Sequence, residues 1–141
     1  MTVIAYDGKN LVADKKCSAN GLSSTVTKIY KINDCLVGCA GDVTYCNQLI
    51  SWFKNGEDKQ NFPEMGDVYL GMLVIRPSKE VHYFENNPFP ILLEDKFIAI
   101  GSGDHFAEGC MYSGKTAIEA VLLTNQHINS CGNGIDVLKV I

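Results

Sequence analysis

The opening hairpin signal constrains this chain most. Val3-Ile4-Ala5-Tyr6 is a short strand-forming run, Asp7-Gly8 is a strong two-residue turn, and Asn10-Leu11-Val12-Ala13-Asp14 supplies the returning strand. A hairpin this near the chain start fixes the N-terminal segment in a sheet, so Thr2 sits at the head of a strand. If Met1 is removed, Thr2 carries a hydroxyl and a free α-amine on one residue. An α-amine has an unperturbed pKa near ~8 and can act as a general base around neutral pH. A threonine hydroxyl is a weak nucleophile alone, and an adjacent N-terminal amine is one established way to activate it.

The 141 residues suit one domain, 1–141, with a core of useful size. Hydrophobic residues at 46% and charged residues at 20% are ordinary for a soluble globular protein. A net charge of -4 without a basic run argues against a nucleic-acid-binding module. No segment approaches the ~20 apolar residues of a membrane span. The chain start also lacks the basic-then-apolar pattern of a signal peptide, so a cytoplasmic protein without membrane contact is expected. Reduced thiols are then the default for Cys17, Cys35, Cys39, Cys46, Cys110 and Cys131. Cys35 and Cys39 share a strand face, but no Cys-x-x-Cys pair or nearby His completes a zinc set, and no cofactor is expected.

Further along, Lys15 to Ser24 is polar, with Asn20-Gly21 as a turn. Val26 to Ile32 alternates as a strand, with Lys28 on the face of Val26, Tyr30 and Ile32. Cys35 to Ala40 is continuously apolar, as a buried strand would be, and Gly41-Asp42 opens a helix whose stripe is Val43, Cys46, Leu49, Ile50 and Phe53. Residues 55–67 read as a loop or a short degenerate element, and Val68–Ile75 with Glu80–Phe84 as another hairpin. Phe97 to Ile100 is a buried strand ending in Gly101-Ser102-Gly103. A helix capped by Asp104 breaks at Ser113-Gly114 and resumes with Ala117, Val121 and Leu122 inward, before a final strand from Ile135 to Ile141. The pattern is α+β with mostly antiparallel sheet.

Four features join Thr2 as candidates for chemistry. A Lys28 ammonium near the Thr2 hydroxyl would lower its pKa and favour the attacking alkoxide, and Asp14 could hold that lysine in place. Gly41, at a strand-to-helix junction, could offer a backbone N–H to a developing oxyanion. Ser102 could hydrogen-bond the α-amine and orient it. Each also has an ordinary reading: a surface ion pair worth ~0–1 kcal/mol, a tight turn, or a helix entry that could bind an anion.

Taken in order, Thr2, Asp14-Lys15-Lys16, Lys28-Ile29, Gly38-Cys39-Ala40-Gly41-Asp42, Gly101-Ser102-Gly103 and Ile135-Asp136-Val137 resemble the proteasome β-subunit/HslV family of N-terminal-nucleophile hydrolases. The resemblance covers nearly the whole chain. It implies a four-layer αββα sandwich, here truncated in its second helix. It also implies roles: Thr2 as nucleophile and base, Asp14 as the buried acid, Lys28 as the lysine beside the nucleophile, Gly41 as oxyanion donor and Ser102 as the serine near the α-amine. Ser18 matches a position whose backbone pairs with an extended substrate strand. The family's acid and hydroxyl residue before the last strand fall, without gaps, on Ile128 and Cys131, with Asn129 and Ser130 beside them.

The implied activity is a threonine peptidase working through an acyl ester on Thr2. Its substrates would be unfolded polypeptide or peptides, its assembly a homo-oligomeric ring, and its partner an ATPase unfoldase. The contrasting expectations are a non-catalytic binding or structural oligomer on the same scaffold, and a hydrolase of small-molecule amides.

Overall fold

The computed structural model describes residues 2–19 and 21–141. The chain start forms the predicted hairpin, but with a longer loop than the expected two-residue turn: β1 (Ile4–Tyr6) runs antiparallel to β2 (Asn10–Asp14) across Asp7-Gly8-Lys9. The next stretch is a second hairpin, β3 (Lys16–Ala19) and β4 (Leu22–Thr25), and no alternation marks it, because β4 is exposed along its whole length. The Asn20-Gly21 turn falls partly on Asn20, outside the described residues, as does any statement about Met1. Then come β5 (Ile29–Ile32) and β6 (Cys35–Gly41). The strand expected from Val26 begins only at Ile29.

Helix α1 (Val43–Lys54) starts at Asp42, whose side chain accepts from the Thr44 backbone N–H at 2.9 Å. It buries Cys46, Leu49, Trp52 and Phe53, while Val43 stays exposed. Strands β7 (Leu70–Ile75) and β8 (Val81–Phe84) form another expected hairpin, and β9 (Ile91–Leu93), unforeseen in the sequence, adds an edge. After β10 (Ile98–Ile100), helix α2 (Asp104–Tyr112) follows with Gly103 as its N-cap, so Asp104 is the first helical residue instead of the cap. Helix α3 (Ala117–His127) is closed by a capping box between Thr116 and Glu119. Ala117 and Val121 point inward as expected, but Leu122 is exposed. Strand β11 (Ile135–Lys139) ends the fold.

The strand orders are β10-β1-β2-β11, β3-β4 and β5-β6-β7-β8-β9, with every pairing antiparallel. Among the described residues the molecule is therefore a small, mostly-β domain of three antiparallel sheets and three α-helices, which corrects the expected four-layer αββα sandwich. The physical reason is that antiparallel pairing takes up segments such as β3–β4 and β9 that the sequence leaves as loop, while residues 55–67 stay without an α-helix, as expected. Residues 55–67 give one 3-10 turn (Lys59–Asn61), since Glu57, Asp58, Lys59 and Gln60 offer no apolar stripe to bury. The serine- and threonine-rich β3–β4 segment forms a separate two-stranded sheet.

Alternation along the strands divides the core. Ile4, Leu11 and Ala13 meet Ile29, Leu73 and Ile75 between the two larger sheets. Val37, Met72 and Phe84 pack under the Leu49–Phe53 face of α1. Val3, Ala5 and Val12 pack under Ala107, Met111 and Val121 of α2 and α3. Asp7 closes the last of these, its carboxylate accepting from the backbone N–H groups of Lys9, Asn10 and Ala117.

Candidate functional site

Thr2 precedes β1, the strand flanked by β10 and β2, and is 6% exposed. Its backbone nitrogen donates to the Ser102 Oγ at 3.2 Å, and its carbonyl accepts from the Gly103 N–H at 3.1 Å. The 101–103 loop can come this close only because of its glycine. Gly101 has φ +96°, and a Cβ there would run into the Thr2 carbonyl oxygen.

Asp14 ends β2 with no exposure. Its Oδ1 accepts from the Val3 N–H at 3.0 Å and from Lys28 Nζ at 2.8 Å. Its Oδ2 accepts from the N–H groups of Lys16 at 3.2 Å and Gly132 at 3.1 Å. One carboxylate thus ties the residue after Thr2, the start of β3 and the loop before β11 to a single point. Lys28, 7% exposed and just ahead of β5, also donates to the Lys16 carbonyl at 2.7 Å. A buried ammonium with charged and carbonyl acceptors is held in one position, as a charge placed for chemistry must be.

Thr2 and Lys28 line one narrow cavity of about 30 Å³ with Gly41, Cys39 and Cys46. Thr2, Gly41 and Ser102 line a second cleft of about 410 Å³, with Tyr69 and Asp104. Gly41 therefore borders both spaces. Its φ is +131°, and a Cβ there would lie 2.7 Å from the Tyr69 carbonyl oxygen. The five residues Thr2, Asp14, Lys28, Gly41 and Ser102 come together from five separated stretches of chain. Ser18 lies apart from them, exposed on β3 opposite Ser23.

The loop before β11 supplies a hydroxyl and no carboxylate. The Ser130 Oγ lies 3.3 Å from the Ser102 Oγ, and Cys131 is buried behind them. Burial pushes the Cys131 thiol above its ordinary pKa, and the Asp14 charge adds to that. Cys39 is raised well above its ordinary value by its hydrogen bond to the Cys46 thiol, with burial next. Neither environment favours a thiolate nucleophile. Among the described residues no group of three His, Cys, Asp or Glu side chains is arranged to hold a metal ion. Likewise, no helix among them is long and apolar enough to cross a membrane.

Sequence reasoning missed Tyr69 and Asp104. Tyr69, 80% exposed, stands just before β7, and Asp104 looked only like a helix cap. Nothing in the sequence set Tyr69 apart, since it fell inside the strand expected over Val68–Ile75.

No family model matches the chain, and no curated protein is similar to it in sequence. Solved structures are similar in fold. A Thiobacillus denitrificans protein, BPH, in complex with epoxomicin superposes with a TM-score of 0.73 at 17% identity, covering 100% of each chain. A second structure of Thiobacillus denitrificans BPH gives a TM-score of 0.70 at 16% identity, covering 99% of this chain and 98% of that one. At these identities the likeness extends to the fold: this chain folds as Thiobacillus denitrificans BPH does, end to end.

Proposed function

We propose that the protein is a threonine peptidase of the proteasome β-subunit/HslV kind, acting through Thr2 once loss of Met1 frees its α-amine. One observation carries the reading: a buried Asp14–Lys28 pair at 2.8 Å, with Lys28 on the wall of the cavity that Thr2 lines. Burying an ion pair is costly and seldom adds stability over apolar packing, so its position beside a hydroxyl nucleophile asks for a chemical reason.

In this reading the Thr2 amine removes the proton from its own hydroxyl, and the oxygen attacks a peptide carbonyl. Lys28 offsets the charge on the attacking oxygen, and the backbone around Gly41 faces the oxyanion. The amine then protonates the departing nitrogen. Water, deprotonated by the same amine, hydrolyses the acyl ester and restores Thr2. Ser102, at 3.2 Å from the Thr2 nitrogen, keeps that base oriented through both halves. An extended substrate would lie along the β3 edge near Ser18. Ring assembly, an ATPase unfoldase partner and a cytoplasmic setting belong to the same proposal.

Intact mass of the purified protein, cleavage of unfolded protein and fluorogenic peptides, and binding of epoxomicin test it together. The expected result is a chain lacking Met1, with cleavage and epoxomicin binding that both vanish in Thr2→Ala. Normal turnover in Thr2→Ala overturns it. A second reading, a non-catalytic binding or structural oligomer, is favoured by the Ser102–Ser130 contact, which no carboxylate joins among the described residues. A processed Thr2 that remains unreactive would select it.

A further inference from the structure

Two thiols meet on the wall of the narrow cavity that Thr2 lines. Cys39 lies on β6 and Cys46 on α1, and the chain between them turns from strand to helix at Gly41 and Asp42. Alternation along β6 points Cys35, Val37 and Cys39 at α1, where they pack in one cluster with Cys46, Leu49 and Phe53. Both thiols are buried, and the Cys39 thiol donates a hydrogen bond to the Cys46 sulfur, which puts the two sulfurs in contact. All six cysteines are free. Cys35 is four residues from Cys39 on the same strand, roughly 13 Å along it, and a disulfide tolerates at most ~7 Å between Cα atoms. Cys110 and Cys131 belong to the separate core under α2 and α3.

The cavity gives these buried sulfurs a route to a small oxidant. Its volume of about 30 Å³ holds a water-sized molecule, and hydrogen peroxide is little larger. The hydrogen bond and burial keep the proton on Cys39, so Cys46 reacts first. Its sulfur bonds to one peroxide oxygen, the O–O bond breaks, and the departing hydroxide takes the Cys46 proton as water. The resulting sulfenic acid already touches its resolving partner. The Cys39 sulfur attacks the Cys46 sulfur, the S–O bond breaks, and hydroxide leaves with the Cys39 proton as a second water. The thiol pair loses two electrons, and one peroxide becomes two waters. A dithiol reductant reverses the bond by exchange.

We propose that Cys39 and Cys46 form a reversible disulfide under peroxide, and that this bond restrains the cavity beside Thr2. A sulfur–sulfur contact becomes a covalent link of ~2 Å, which draws the first turns of α1 onto β6. Gly41 lies in the short loop of chain that the link closes, so its backbone moves with the junction. The bond itself stands apart from the peptidase reading of Thr2, and its effect on cleavage rests on that reading.

The experiment exposes the reduced protein to hydrogen peroxide, alkylates the remaining thiols in denaturant, and maps linked peptides by mass spectrometry. A peptide joining Cys39 to Cys46 should dominate and should disappear after dithiothreitol. Cleavage of a fluorogenic peptide should fall about tenfold in the oxidised protein, because small displacements beside reacting atoms cost up to ~10²-fold. The rate should return with dithiothreitol, which does not undo methionine oxidation. In a Cys39→Ser/Cys46→Ser variant shown to be folded by circular dichroism, the ratio of oxidised to reduced rates should stay near one. Absence of the linked peptide, or linkage of either thiol mainly to another cysteine, overturns the proposal. A linked protein that cleaves at its reduced rate also overturns it and leaves the peptidase reading standing. If the reduced protein cuts nothing, the peptidase reading fails by itself, and amide hydrogen exchange over residues 40–47 decides the restraint. Slower exchange in the linked protein sustains it, and unchanged exchange ends it.

Discussion

The Asp14 carboxylate holds the Lys28 ammonium at 2.8 Å while its other oxygen accepts from the Gly132 N–H at 3.1 Å. The two oxygens join strands that are distant in sequence, so this side chain serves the fold as well as the candidate chemistry. Asp14→Ala leaves Lys28 charged and buried without its carboxylate partner. A loss of about 3–5 kcal/mol is expected, read from urea denaturation midpoints. The double variant Asp14→Asn/Lys28→Met should recover part of that loss without restoring activity, because it removes both charges together.

Ser102 should affect rate more than affinity. Its hydroxyl meets the Thr2 nitrogen at 3.2 Å and the Ser130 hydroxyl at 3.3 Å. Ser102→Ala should lower kcat by about 10²-fold, the lower end of what a positioned base contributes, with KM little changed. Ser130→Ala should lower it less, and the double variant should match Ser102→Ala alone, since Ser130 reaches the amine only through Ser102. Steady-state kinetics on one fluorogenic peptide check this.

Gly101→Ala should damage the site by sterics. The new Cβ meets the Thr2 carbonyl oxygen, and the φ of +96° is strained for any L side chain. A backbone strain of about 1–3 kcal/mol is expected, with Thr2 displaced from Ser102. Thermal unfolding reads the first effect. Lower cleavage of a fluorogenic peptide by a variant that remains folded reads the second.

Asp7 predicts an acid limit on stability. Burial acts to raise its pKa, but N–H donors from Ala117, Asn10 and Lys9 outweigh it and hold the carboxyl below the ordinary range. A depressed folded pKa means its stabilisation is fully present above the unfolded value near ~3.9 and is lost as pH falls through the lower folded value. Asp7→Ala should therefore cost about 1–3 kcal/mol near neutrality and progressively less in that acid window. Urea midpoints of both proteins against pH should converge there.

The sequence by itself determined the elements whose signals are local. Asp7-Gly8 marks a hairpin, the Cys35–Ala40 run suits a strand buried on both faces, and Asp42 before a helical stripe starts α1. The family resemblance carried by Thr2, Asp14, Lys28, Gly41 and Ser102 likewise pointed to one site, and the fold brings these residues together. Other features needed the third dimension. Nothing local separates the exposed β4 strand or the short β9 from loop, because their pairing partners, and not their patterns, stabilise them. The expected layering went wrong for the same reason: the pairing of β3 with β4 and of β8 with β9 adds sheet where the sequence reads as loop. The cleft beside Thr2 also needs the third dimension: Tyr69 before β7 and Asp104 of α2 line it with Thr2 and Gly41, and no spacing along the chain encodes a distance between elements paired through other strands.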